Sequence, residues 1–322
     1  MMDLFEFKNI KPMLIKDNVP LFLDKDYFYE VKWDGERCIA YLDPQAGTDL
    51  RNKRNIKMLS KVPELADIHR LVRKKCILDG ELIILKDGKP EFEAIRNRSL
   101  KTNAFKIELE SRQFPATFIS YDCLYYDGQN IMLQPIIERT NALKKVVKAE
   151  TGRLALSRVY KSAQAESLFD LTLQQGLEGI VAKRKDSLYF QDTRTKDWLK
   201  IKHLQDDDFV VCGYIFKNNH MISLVLGQFA QGRLVYKGHV TLGVSRQAFA
   251  EIKAVPERLD PPFNGPVAAG NENAVWLTPK IVCVVKYMYK TESGSMRQPV
   301  FKGLREDKLP EDCIAKDDSS FE

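Results

Sequence analysis

The chain has 322 residues, is 44% hydrophobic, and carries a formal net charge of +6 and six cysteines. That length and apolar content suit a soluble globular protein with two ordinary cores. No apolar run approaches bilayer-spanning length, and residues 1–11 lack the basic start and apolar centre of a signal peptide, so neither a membrane helix nor secretion is expected. The cysteines at 38, 76, 123, 212, 283 and 313 form no C-x-x-C pair and have no histidine at zinc-ligand spacing, which reads as reduced, buried thiols in a cytoplasmic protein. Charge is uneven: 36 basic residues face 29 acidic ones in 1–203, against 14 and 15 in 204–322. A polyanionic partner such as nucleic acid or nucleotide fits the basic first part.

In chain order, residues 27–33 are rich in aromatic and β-branched types and read as a strand. Asp34-Gly35 reads as a hairpin turn, and residues 38–42 resume as strand. Taken alone, Lys32 is then a solvent-facing lysine beside a turn. Pro63 opens a predicted helix with apolar positions at Leu65, Ile68, Leu71 and Val72. Strands are expected over 77–85, 117–126, 154–160, 179–183 and 198–202. Helices are expected over 136–148 and 168–175, the latter closed by Gly176. The first domain, residues 1–203, is therefore α+β and antiparallel-rich. The polar run 205–208 reads as a link. Beyond it, strands over 209–216, 222–229, 234–242 and 275–289 with one helix over 246–253 predict a small five-strand OB-type β-barrel filling residues 204–322.

Several polar runs stand out against this frame: Lys32-Trp33-Asp34-Gly35-Glu36-Arg37, Asp79-Gly80-Glu81, Tyr121-Asp122, Glu178-Gly179-Ile180-Val181-Ala182-Lys183, Trp198-Leu199-Lys200-Ile201-Lys202, and the closing Arg305-Glu306-Asp307-Lys308. Each has an ordinary reading as a surface acid, a core aromatic or the solvated face of a strand. Their order and spacing give them a second one. The set resembles the nucleotidyltransferase motifs of ATP-dependent DNA ligases, over nearly the whole chain. The wording Lys-Trp-Asp-Gly and the ending Gly-Leu-Arg-Glu-Asp-Lys are most similar to small bacterial ligases related to the ligase module of the end-joining ligase.

The resemblance implies a nucleotidyltransferase (ATP-grasp-like) domain followed by an OB-fold, with Lys32 as the nucleophile that takes AMP from ATP. It puts Glu30 near the adenine edge, Glu81 near the ribose hydroxyls, Tyr121 against the adenine face and Arg37 near ribose and phosphate. Lys200 and Lys202, alternate residues of one strand, would both face the phosphates. Glu178, with Glu81 beside it, would hold Mg²⁺ or Mn²⁺. Arg305, Asp307 and Lys308 would close over the triphosphate by motion about the interdomain link. An ordinary lysine, with a pKa near ~10.4, needs neighbouring positive charge or desolvation to supply free amine, and Arg37, Lys200 and Lys202 are candidates for that charge.

One run departs from the family wording. Where many ligases have Ser-Arg-x-Gly, this chain has Asn52-Lys53-Arg54-Asn55, so either Lys53 or Arg54 takes the arginine's place against phosphate or DNA. The partners implied are nicked or broken duplex DNA, with a Ku-like end-binding protein or a repair polymerase as recruiter. The protein would act as a monomer, without a membrane, in the cytoplasm at the bacterial nucleoid. The rivals are an RNA ligase or mRNA-capping type of nucleotidyltransferase, which share the lysine logic, and a non-catalytic nucleic-acid-binding module.

Overall fold

The computed structural model describes residues 3–15, 18–217, 221–265, 267, 269–288, 290 and 295–315. The chain divides into two compact units, Met1–Lys202 and His203–Glu322. Among the described residues, no helix is long and apolar enough to cross a membrane.

The first unit is built on two sheets. The larger runs Gly47–Asn52, Glu36–Asp43, Cys76–Lys86, Ala116–Tyr126 and Gln129–Asn130, with Leu154–Leu156 added in parallel to Ala116–Tyr126. The smaller is antiparallel in the order Tyr160–Lys161, Tyr27–Val31, Gly179–Arg184, Trp198–Lys202. Side chains alternate across a strand, so a strand covered on both faces needs apolar residues at successive positions. Residues 38–42 show this directly. Cys38, Ala40 and Leu42 enter one core with Leu78, Phe118 and Leu143, whereas Ile39 and Tyr41 enter a second with Phe28, Tyr189 and Trp198. The second core draws on both sheets and joins them. A third core, with Tyr29, Ile180, Ala182 and Ile201 against Leu168 of the helix Ala165–Gln174, covers the far face of the small sheet.

This arrangement corrects the hairpin expected at Asp34-Gly35. Tyr27–Val31 pairs only within the small sheet and Glu36–Asp43 only within the large one, so residues 32–35 cross from one sheet to the other. The turn dipeptide is there for close approach instead. A Cβ on Gly35 would lie 2.2 Å from the Leu82 carbonyl oxygen, a separation only a missing side chain allows.

Other expectations shift for identifiable reasons. The helix from Pro63 is two short 3₁₀ turns, Pro63–Leu65 and Ile68–Leu71, whose apolar side chains serve as plugs for the first core. The strand expected over 154–160 is two short pieces, Leu154–Leu156 and Tyr160–Lys161, in different sheets. Two helices, Phe92–Leu100 and Ala104–Gln113, appear where the periodicity is weak; each begins at a side-chain cap, Glu91 and Asn103.

The second unit is an antiparallel, OB-fold-like sheet in the order Arg233–Val240, Ile222–Ala230, Gln205–Phe216, Val275–Tyr287, Glu257–Arg258, with Val300–Arg305 also on Val275–Tyr287. Tyr289, expected to end that long strand, lies outside the described residues. Phe209, Val211, Leu224, Leu226, Cys283 and Val285 fill the core, and the helix Arg246–Lys253 adds Ile252. The polar run read as a link is instead the first turn of pairing: Gln205 to Asp208 register with Tyr287 to Val284. Strand pairing uses backbone groups, so acidic side chains do not prevent it when each finds a partner. Asp207 accepts from the Tyr287 hydroxyl, and Asp208 meets two cations.

Gly35→Ala should lower stability by about 1–3 kcal/mol, the usual cost of forcing extra atoms into a packed region. Urea unfolding followed by tryptophan fluorescence would read it; a midpoint equal to the parent's would contradict the close-approach argument.

Candidate functional site

Alternation decides what faces the space between the two sheets. On Trp198–Lys202, Ile201 points to the outer core, which leaves Trp198, Lys200 and Lys202 inward. Glu30 pairs with Val181, and Val181 with Lys200, so these share the inner face. From the large sheet, Arg37, Asp79 and Glu81 lie on the face of Ile39 and Tyr41. Tyr121 arrives differently. In the pairing of Cys76–Lys86 with Ala116–Tyr126, Asp79 registers with Asp122 and Gly80 with Ser120, so Tyr121 is the extra residue of a β-bulge. Bulges re-aim side chains. The result is a cavity of about 1000 Å³ bordered by Glu30, Lys32, Arg37, Glu81, Tyr121, Lys183, Trp198 and Lys200, with Lys53 and Arg54 at its edge.

Lys32 is fixed at backbone and side chain. Its amide donates to the Gly179 carbonyl at 2.9 Å, and its ammonium lies 2.5 Å from Glu178 Oε2. Lys202 Nζ lies 2.5 Å from the other oxygen, Oε1. Burial alone would raise the Glu178 carboxyl, but the two ammonium groups override it and hold it below the ordinary glutamate value. Lys200 has no such carboxylate so close. Burial, then Lys202 and Lys32, holds it below the ordinary lysine value.

Gly179 is required here. Its φ is +133°, and a Cβ would sit 2.2 Å from the Ile201 carbonyl oxygen, so only glycine lets the Glu178 turn press against the lysine strand.

The opposite wall holds a second ionic group. Arg37 grips the fully buried Asp79 with both Nε (3.0 Å) and Nη2 (2.6 Å), and the Tyr189 hydroxyl donates to the same carboxylate at 2.8 Å. Glu81 is left without a close cation. Burial pushes its carboxyl up to about 8 against the pull of Lys32 and Arg37. At neutral pH it is mostly a neutral acid, able to donate one hydrogen bond and accept others.

Two residues that the sequence reading left out belong to the site, Lys183 on the small sheet and Asp79 on the large one. Lys183 bonds Glu30 at 3.0 Å and lies 4.5 Å from the Tyr121 ring centroid and 4.6 Å from that of Trp198. Only 3% exposed, it is a cation kept inside by an acid and two aromatic faces. Asp79 and its Tyr189 contact were likewise missed; the acid preceding Gly80 was the available signal. Asp122 does not enter the cavity but forms a fully buried bidentate pair with Arg139 behind it.

Among the described residues, no group of three or more His, Cys, Asp or Glu side chains is placed to hold a metal ion. Glu178 already serves two lysines, and Glu81 is a poor ligand while protonated. These two carboxylates do not form a resident divalent-ion site on their own. Arg305 and Lys308 belong to the second unit, where both contact Asp208, and Arg305 also binds Asp307.

In the loop 52–55, both Lys53 and Arg54 border the cavity. Asn55 has a φ of +62°, the conformation for which glycine is favoured and asparagine tolerated. Asn52 is tied by Glu36 at 2.9 Å.

Comparison with known proteins supplies the context. The family described as ATP dependent DNA ligase domain matches residues 12–202, and that described as ATP dependent DNA ligase C terminal region matches residues 217–308. The multifunctional non-homologous end joining DNA repair protein LigD of Mycobacterium tuberculosis H37Rv is 29% identical over 96% of this chain, which spans only 40% of that protein's length. The SPbeta prophage-derived DNA ligase-like protein LigB of Bacillus subtilis is 28% identical, over 92% of this chain and 99% of its own. Among solved structures, mycobacterial DNA ligase D complexed with ATP and MES matches with a TM-score of 0.54 and 27% identity, over 96% of this chain and 99% of the other.

Glu81→Gln tests the burial of the acid. A carboxyl whose folded pKa exceeds its unfolded value of about 4.5 favours the folded state when protonated and costs stability as it ionises. The melting temperature of Glu81→Gln relative to the parent should therefore rise as pH increases from 4.5 to 8 and level off above. A difference independent of pH would mean that Glu81 ionises freely.

Proposed function

This chain belongs to the ATP-dependent DNA ligase family, and on that premise we propose that it seals 5′-phosphate/3′-hydroxyl breaks in duplex DNA through AMP carried covalently on Lys32. The observation that carries this reading is Lys32 at the wall of a nucleotide-sized cavity, sharing one buried carboxylate with Lys202.

In the first step the Lys32 nitrogen attacks the α-phosphorus of ATP. A P–N bond forms, the bond from that phosphorus to the bridging oxygen breaks, and pyrophosphate leaves with the electron pair. The Lys32 ammonium must give one proton to solvent before attack and a second as the P–N bond forms, and Glu178, 2.5 Å away, is the group positioned to orient the amine. Lys200 and Lys202 neutralise phosphate charge as it builds, with Lys200 having no carboxylate to leave first. Tyr121 offers a ring face to the adenine, Glu30 with Lys183 presents a polar edge beside it, and Glu81 in its neutral form bonds ribose hydroxyls. Arg37 reaches ribose or phosphate only if it gives up part of its hold on Asp79.

A divalent ion, Mg²⁺ or Mn²⁺, would supply neutralisation of the triphosphate. It would come with the nucleotide, and the carboxylates that would help to hold it are Glu178 and, when ionised, Glu81. Arg305 and Lys308 engage the triphosphate in this step. AMP then passes to the 5′-phosphate at the break, and the 3′-hydroxyl displaces it. Lys53, with Arg54 beside it, holds a backbone phosphate near the reacting end.

The relatives' names support a role in DNA repair and non-homologous end joining, in which a Ku-like end-binding protein or a polymerase would bring the chain to the break. The protein would work as a monomer in the cytoplasm at the nucleoid.

Lys32→Ala should abolish transfer of label from [α-³²P]ATP to protein, and should lower the melting temperature because buried Glu178 loses one of its two cations; residual covalent label would remove Lys32 from its role. Label taken from GTP but not ATP would replace the ligase reading with the capping one. Binding to nicked duplex should weaken steeply with salt, and Lys53→Ala should make the log–log slope shallower by about 1.

A further inference from the structure

The second unit has a cavity of about 470 Å³, and its cations are already occupied. Lys308 Nζ lies 2.5 Å from Asp208 Oδ2, and Arg305 Nη1 lies 3.3 Å from the same oxygen. Two cations three residues apart thus converge on a single carboxylate oxygen, in the geometry they would use on a phosphate oxygen.

Asp208 cannot follow them if they leave. It lies within the strand Gln205–Phe216, paired opposite Val284, and its carbonyl oxygen accepts from Gln228 Nε2 at 3.0 Å. Phe209, the next residue, is fully buried. Arg305 and Lys308, by contrast, keep about a third of their side chains exposed, 35% and 27%. The carboxylate is the fixed member of the group and the cations are its movable members. Around them, Asp206, Asp207 and Asp312 also line the cavity, so a polyanion held there faces repulsion from several acids.

We infer that Asp208 is a positioning residue that competes with pyrophosphate for Arg305 and Lys308, and so drives release of that product after Lys32 takes AMP. This rests on the reading that the two cations engage the triphosphate. With ATP bound, the cations leave Asp208 for phosphate oxygens. Once the Pα–O bond has broken and the P–N bond has formed, pyrophosphate is no longer tethered to the bound adenosine and can diffuse away, whereas the carboxylate stays fixed in its strand and takes the cations back. The reverse reaction, in which pyrophosphate oxygen attacks the lysyl-AMP phosphorus, breaks the P–N bond and regenerates ATP, is suppressed by the same competition.

The test is reversal of pre-formed enzyme–AMP by added pyrophosphate, measured as loss of protein-bound label. Asp208→Asn keeps the size of the side chain and the backbone contact but removes the charge. It should lower the pyrophosphate concentration for half-maximal reversal by about three- to tenfold, the effect of losing one partly exposed ion pair of this kind. Asp208→Glu should return it towards the parent value. Sealing of a pre-adenylylated nick, which involves no pyrophosphate, should stay at the parent rate and shows that the variant is folded. Asp208→Ser provides the same loss of charge if Asp208→Asn is unstable. An unchanged or increased pyrophosphate requirement in the charge-removing variants, with Arg305→Ala defective in adenylylation, would overturn the inference alone. Full adenylylation by Arg305→Ala would overturn the underlying reading, and the inference with it.

Discussion

A carboxylate with 2% of its side chain exposed needs cations, and Glu178 has two, one on each oxygen. Removing either would leave a buried charge half compensated, a costly state in a protein interior. The demand acts on the whole first unit. Lys202 comes from the last strand of the small sheet, Lys32 from the crossover that leaves it, and Glu178 from the turn between helix and strand. Three distant stretches of chain must therefore meet within 2.5 Å at one point. Gly179 makes that meeting possible by letting the turn approach the Ile201 carbonyl.

The two walls of the cavity differ in how charge is settled. On the small-sheet side, cations outnumber the acids they share, so Lys200 is destabilised as an ammonium. On the large-sheet side, Arg37 is consumed by Asp79, which leaves Glu81 as the acid without a close partner, pushed up to about 8. The lysine-rich wall suits phosphates, and the wall with a neutral acid and a bulged tyrosine suits a sugar and a base. Polarity thus runs across the cavity in the same direction as it runs along a nucleoside triphosphate.

Much of this was legible from residues 32–37, 79–81, 178–183 and 198–202 through the resemblance of their order and spacing to the ligase motifs, since each run alone reads as a surface acid, a core aromatic or a solvated strand face. The fold class followed from strand patterning, and the OB-like tail from short strands spaced by turns. What escaped was relational. Asp34-Gly35 has the local chemistry of a hairpin, and only the partners of the flanking strands reveal a crossover. Residues 205–208 have the composition of a linker, and only Tyr287, Arg305 and Lys308 make them a strand. Tyr121 faces the cavity through a bulge, a register shift with no signature in its own residues. Lys183 lay inside a run already singled out, yet nothing local distinguishes a buried lysine from a solvated one until Glu30, Tyr121 and Trp198 surround it.

The crossover at residues 32–35 ties two rigid bodies by a very short tether. Lys32 is bonded to the small sheet through Gly179, while Gly35 is wedged against Leu82 of the large one. The width of the cleft is thereby coupled to the position of the amine: any change that spreads or narrows the sheets displaces Lys32 relative to the opposite wall. Packing of Ile39, Tyr41, Phe28 and Trp198 then acts as the gauge that sets how far Lys32 stands from the opposite wall.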